Sequence, residues 1–85
     1  MPYLEKSVKK ALDSGIIQAS TPGYLNYRFT ELILNYLGIR GTSYQTINDV
    51  VGALESCKLE FYRRLAAPYE NIKIKQNGDV YPENI

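Results

Sequence analysis

Hydrophobic positions recur with helical spacing along most of this chain. Leu4, Val8 and Leu12 fall every fourth residue, which places them on one face of a helix. The pattern predicts a first helix over about residues 3–14. Pro2 suits its first turn, where a missing N–H costs nothing, and Lys6, Lys9 and Lys10 lie off the stripe. Gly15 is placed to be the C′ residue, although a helix that tolerated it would continue through Ile16 and Ile17. Ser20-Thr21-Pro22-Gly23 then interrupts the chain, because proline and glycine together punctuate regular structure. A second helix is expected over about 24–37, where Leu25, Phe29, Leu32, Ile33, Tyr36 and Leu37 keep an i, i+3, i+4 pattern. Gly38 is placed to end it.

A third helix is expected over about 43–67. Thr42-Ser43-Tyr44-Gln45 reads as a capping box with Thr42 as N-cap and Gln45 at N3, and Thr46 with Asp49 is a second possible start. Pro68 stands where a helix must stop. At 1.5 Å per residue such a helix is about 36 Å long. Its main stripe is Ile47, Val50, Val51, Leu54, Cys57, Phe61 and Leu65. Lys58 borders the stripe and can lay its stem along it. Asn48, Gly52, Leu59, Tyr62 and Ala66 fall on another face. Gly52 costs about 1 kcal/mol relative to alanine in mid-helix, so it points to close backbone approach. Two shorter helices can hardly cover both faces, so Gly52, Leu59, Tyr62 and Ala66 are expected to meet another copy of the chain, unless the C-terminal tail folds back over them.

That tail changes period. Ile72-Lys73-Ile74-Lys75-Gln76 alternates apolar and polar before Asn77-Gly78, the strongest short signal for a hairpin with a type I′ turn. A β-hairpin over about 72–81 is expected, docked because an isolated one is marginal in water. The fold class that emerges is mainly α: a single domain over 1–85, made of three helices with a long third one and a short C-terminal β-hairpin.

Composition narrows the function. The formal net charge is +1, so no excess of positive charge announces nucleic acid or an anionic membrane. One cysteine and no histidine exclude catalytic arrangements that need His and leave too few ligands for a zinc cage. No metal and no cofactor are expected. The N-terminus lacks an apolar h-region, and no apolar run approaches the roughly 20 residues of a membrane span; a cytoplasmic protein is expected. The nine Asp and Glu residues show no spacing that forces a pair to converge, and Glu60 with Arg64 reads as an i, i+4 surface pair. Cys57 sits on the main stripe and reads as a buried structural thiol. Gly38-Ile39-Arg40-Gly41 offers a weak anion site before the third helix but lacks P-loop spacing.

Eight tyrosines without tryptophan suit surfaces with one wet and one dry side. Tyr62-Arg63-Arg64 with Tyr69 joins stacking faces to guanidinium forks that match phosphates. With Arg28 and Lys58 nearby, these residues form the candidate ligand site, although Arg63 and Arg64 paired only with surface carboxylates are the plainer reading. Helices two and three around a short turn are compatible with a helix-turn-helix, whose third-helix start offers Ser43, Gln45, Thr46 and Asn48. The near-neutral charge argues against DNA, and nucleic acid is not the expected partner.

Four blocks carry a resemblance. They are Gly23-Tyr24-Leu25-Asn26-Tyr27 with Thr30, Ser43-Tyr44 with Ile47 to Glu55, Lys58 to Arg64 running to Ala67-Pro68-Tyr69-Glu70, and Asn77 to Tyr81. On these, about two thirds of the chain resembles a family of small, functionally uncharacterised phage and bacterial proteins. The resemblance implies a phage or prophage setting and an α-helical fold with a short C-terminal hairpin, and it transfers no activity. Small phage proteins of this kind often counter host defence. The function expected from residues and resemblance together is that of a non-catalytic phage-type binding protein, a homo-oligomer that sequesters a small nucleotide signal between subunits. The alternative is a protein-protein adaptor or inhibitor of a host protein.

Overall fold

A computed structural model describes residues 3–84. Its elements are α1 (Lys6–Asp13), α2 (Pro22–Arg40), α3 (Tyr44–Phe61), a wide π turn (Tyr62–Ala66) and α4 (Ala67–Asn77). The last three run on without a break, so the chain has three helical segments, the third being a composite. The mainly α class holds. Two compact units divide between Ile47 and Asn48. The role expected for Pro2 lies outside the described residues.

In the first unit, α1 begins later than expected and ends where Gly15 dictates. Gly15 takes a φ of 80°, open to glycine at little cost. Its N–H donates to the Leu12 carbonyl at 3.2 Å, and that of Ile16 donates to Ala11 at 2.9 Å. This pair of bonds is a Schellman closure, and it settles the helix end against continuation through Ile17. The expected stripe faces inward, with Leu4 and Val8 half-buried and Leu12 fully buried.

Thr21 caps α2: its hydroxyl accepts the Tyr24 N–H at 3.1 Å, and Pro22 fills the first turn. The helix runs through Gly38 and ends at Gly41, whose φ is 84°. Gly38 was expected to end the helix, but it is tolerated as an interior residue. Its continuation absorbs Gly38-Ile39-Arg40 into α2, leaving only Gly41-Thr42-Ser43 as the connection.

The cap of α3 is displaced by one residue from the expected one. Ser43 is the N-cap: its Oγ accepts the Thr46 N–H at 3.1 Å. The Thr46 hydroxyl accepts the Ser43 N–H at 2.8 Å and donates to the Gly41 carbonyl at 2.8 Å. Thr46 thus replaces the usual Glu or Gln of the box, because a short hydroxyl reaches both the N-cap and the preceding turn. Thr46 is 6% exposed.

The second unit corrects the C-terminal expectation. No strand exists among the described residues, and residues 72–77 belong to α4. Five alternating residues are too few to outweigh a helix already propagating into them, since each further residue adds a hydrogen bond without a new nucleus. A type I′ turn needs positive φ at both Asn77 and Gly78. Only Gly78 has it, at 87°, and its N–H donates to the Ile74 carbonyl at 2.8 Å. Gly78 ends the helix in the same manner as Gly41.

Pro68 does not stop the helix either. A proline in a regular helix lacks one N–H and clashes with the carbonyl four residues back. Here the turn immediately before it widens, and the Ala67 N–H reaches the Tyr62 carbonyl five residues back. A π turn of this kind is a known way for a helix to take in an irregularity.

Burial is sparse. Leu12 is the fully buried apolar side chain among the described residues. The main stripe of α3 stays open, with Phe61 59% and Leu65 60% exposed. Cys57, expected to be buried, is exposed, because nothing in its unit packs on that face. Gly52 faces open space, so the close approach expected there is not made within the chain. The tail does not fold back over Leu59 and Tyr62.

The shifted cap is directly testable. Thr46→Val keeps the shape and removes both hydroxyl contacts, and it should cost about 1–3 kcal/mol. Thr42→Ala should change stability by no more than about 0.5 kcal/mol. Urea denaturation midpoints read both; the reverse ranking would restore Thr42 as the cap.

Candidate functional site

The π turn carries three of the six candidate ligand residues, Tyr62, Arg63 and Arg64. A shallow, open depression on the second unit is lined by Ser56, Cys57, Leu59, Glu60, Tyr62, Arg63 and Ala67. Leu59 and Tyr62 supply its apolar surface, at 57% and 51% exposure. Arg63 lines it directly, and Arg64 follows on the same turn.

The charges around it are loosely held. Arg63 Nη2 is 3.9 Å from Glu60 Oε2, and Arg64 Nε is 3.8 Å from the same oxygen. The i, i+4 pair of Glu60 with Arg64 is present, with Arg63 added. One carboxylate therefore serves two guanidinium groups at the outer edge of pairing distance. Exposed pairs of this kind contribute about 0–1 kcal/mol. Lys58 is engaged separately, 3.5 Å from Glu55. Tyr69 stands under Lys73, whose Nζ lies 5.6 Å from the ring centroid, within cation–π range.

Tyr62 is the best-held member. Its hydroxyl donates to Glu70 Oε1 at 2.6 Å, spanning the wide turn. The bond to Glu70, the carboxylate's charge and slight burial raise the Tyr62 pKa above its ordinary value, since each favours the neutral phenol. The hydroxyl edge is thus occupied while the ring remains half exposed.

Arg28, also placed in the candidate site from sequence, works in the first unit. Its Nη1 donates to Glu31 Oε1 at 2.9 Å, and its Nη2 donates to the Leu12 carbonyl. That carbonyl lies in the last turn of α1, where a cation is favoured. Tyr27 donates to both Asp13 carboxylate oxygens, at 3.0 and 3.2 Å. Asp13 is held below its ordinary pKa chiefly by a hydrogen bond from Glu31, then by Tyr27. Glu31 is correspondingly raised, first by that bond and then by desolvation. Burial, then Asp13, raises Tyr27. Sequence reasoning missed this cluster. Tyr27, Arg28 and Glu31 sit within two turns of α2, but nothing in the sequence says that the end of α1 meets them. Their chemistry joins α1 to α2.

Among the described residues no group of three or more metal-binding side chains comes together, and no helix is long and apolar enough to cross a membrane.

Residues 1–80 match the model of a family described as a domain of unknown function, DUF6899. No curated protein and no solved structure matches the chain.

The Tyr62–Glu70 bond makes a spectroscopic difference. Glu70→Gln should move one tyrosine to a lower pH in an ultraviolet titration of the phenols. An unchanged titration curve would show that Glu70 does not hold Tyr62.

Proposed function

We propose that this chain, which belongs to the DUF6899 family, is a non-catalytic binding protein whose working surface is the helix face around the π turn. The observation that carries the reading is the pairing there of an exposed apolar floor with two weakly committed guanidinium groups. Leu59 and the ring of Tyr62 offer a flat apolar surface, and Arg63 and Arg64 share one carboxylate at 3.9 and 3.8 Å. A planar base stacks favourably on such a face. A phosphate can replace Glu60 as the partner of either arginine at small cost, because the existing pairs are worth little and guanidinium forks match phosphate bidentately. The ligand class we assign is therefore a small nucleotide.

The depression is shallow and open, so a ligand held there keeps its outer side in solvent. A phage or prophage origin, a role in blunting host defence by sequestering a nucleotide signal, and action in the host cytoplasm complete the proposal. They draw support from the four sequence blocks between Gly23 and Tyr81.

A second reading is an adaptor or inhibitor of a host protein. The extent of exposed apolar surface favours it. On α2, Leu32 and Leu34 are 68% and 62% exposed, and Ile39 is 75% exposed. Leu32 and Ile39 share one face of α2 at 100° per residue, and together these side chains expose more apolar surface than a nucleotide covers; large exposed apolar areas mark protein contacts.

Thermal shift with a panel of cyclic and ADP-ribose-type nucleotides separates the two. Ligand at a hundredfold excess over its Kd stabilises the folded state by about 2.7 kcal/mol, equivalent to a rise of about 10 °C or more for a domain of this size. Arg63→Ala with Arg64→Ala should abolish the rise and leave the unliganded melting temperature unchanged. No rise with any nucleotide, together with stoichiometric co-purification of a host protein, would favour the adaptor.

A further inference from the structure

The apolar side chains opposite the π-turn face form a continuous seam, and the π turn is what makes it continuous. Ile47, Val50, Leu54, Cys57 and Phe61 step by three and four residues alternately, as the a and d positions of a coiled coil do. In an uninterrupted α-helix the next positions would be Arg64, Pro68, Asn71 and Lys75, none of which a seam accepts. The bond from Ala67 to Tyr62 encloses one residue more than an α-turn, so the helix beyond it resumes the same face one residue late. The next positions become Leu65, Tyr69 and Ile72. Four heptads therefore stay in phase across the irregularity.

Most of this seam is uncovered, with only Val50 half-buried. Phe61, Leu65 and Tyr69 are about equally exposed, at 59%, 60% and 60%, with Ile72 at 54% and Leu54 at 44%. At roughly 80 Å² of exposed apolar area each, its eight side chains offer about 600 Å² per chain. Flanking Val51 and the stem of Lys58 bring this near the ~800 Å² per partner of a stable interface.

We infer that a second copy of this chain covers the seam, with the two helices antiparallel. The side-chain sizes choose the occupant and its direction. Read in reverse against itself, the seam sets Ile47 against Ile72, Val50 against Tyr69, Leu54 against Leu65, and Cys57 against Phe61. Each aromatic ring then faces a small residue, as close packing requires. A parallel pair would stack Phe61 on Phe61 and Tyr69 on Tyr69, and would leave Cys57 and Val50 opposite their own small copies. One unfavourable contact accompanies the antiparallel pair, the approach of Lys58 to its counterpart. Glu55, 3.5 Å from the Lys58 Nζ, offsets it.

Leu59 lies about 200° around the helix from both Cys57 and Phe61. Pairing through the seam therefore covers Cys57, at the edge of the depression, and leaves the face of Gly52, Leu59 and Tyr62 outward. That face was the interface expected from sequence; the seam takes its place, and the inference stands whether or not a nucleotide binds.

Sedimentation equilibrium of the full chain should give the mass of two copies. Leu54→Glu and Leu65→Glu should each weaken association by about a hundredfold or more, because the charge would be buried, while Leu59→Glu should leave it unchanged. Direction is read by disulfide trapping in a Cys57→Ala background. Leu54→Cys mixed with Leu65→Cys should cross-link on oxidation, and neither should cross-link alone. A monomer at millimolar concentration, a dimer indifferent to Leu54→Glu, or a link formed by Leu54→Cys alone would each overturn the antiparallel pair. A monomer whose melting temperature still rose with nucleotide would overturn it while leaving the ligand reading standing.

Discussion

Ordering a helix from Tyr44 to Asn77 costs backbone entropy at every residue, on the order of 1–2 kcal/mol each. Hydrogen bonds along the helix offset part of that, and in globular proteins burial of an apolar face supplies most of the rest. In this chain that face remains half exposed from Leu54 to Ile72. A chain of this size is already near the lower limit at which one core can stabilise a fold. The shortage of internal burial is the constraint from which the other features follow. It leaves the apolar face of the long helix open and gives weight to every exposed leucine along it.

The π turn at Tyr62–Ala66 answers two demands at once. It admits Pro68 by widening the backbone where a regular turn would clash, and it restores the apolar face to its original direction by taking in one extra residue. The same turn carries Tyr62 and Arg63 outward, away from the seam. One local departure from α-helical geometry thus separates a surface suited to another helix from a surface suited to an anion.

The two clusters of polar side chains differ in how firmly they are committed. Asp13, Tyr27, Arg28 and Glu31 satisfy one another at ordinary hydrogen-bond distances and close α1 onto α2. Arg28 is occupied there. Arg63 and Arg64 share a single distant carboxylate, and Tyr62 keeps its ring free while Glu70 holds its hydroxyl. A candidate binding site is better sought among groups that have not found full partners, and the π turn is where such groups stand beside an apolar floor.

Three helical segments, the Gly15 stop, the Thr21-Pro22 start of α2, the Glu60–Arg64 pair and the apolar stripe of α3 were all legible in the sequence, because each depends on neighbours within a turn or two. Membership of a family without an assigned activity agreed with the four blocks read from it. The fate of Pro68 and of Asn77-Gly78 was not legible, since both are ordinary stop or turn signals whose outcome depends on whether a helix is already running through them. The N-cap moved from Thr42 to Ser43 because the Thr46 hydroxyl found the Gly41 carbonyl, a contact five residues apart that no capping pattern specifies. Exposure of Cys57, and the meeting of Asp13 with Tyr27, were decided by tertiary structure alone. Local periodicity tells a side chain which face it is on; only the packed chain decides whether anything lies against that face.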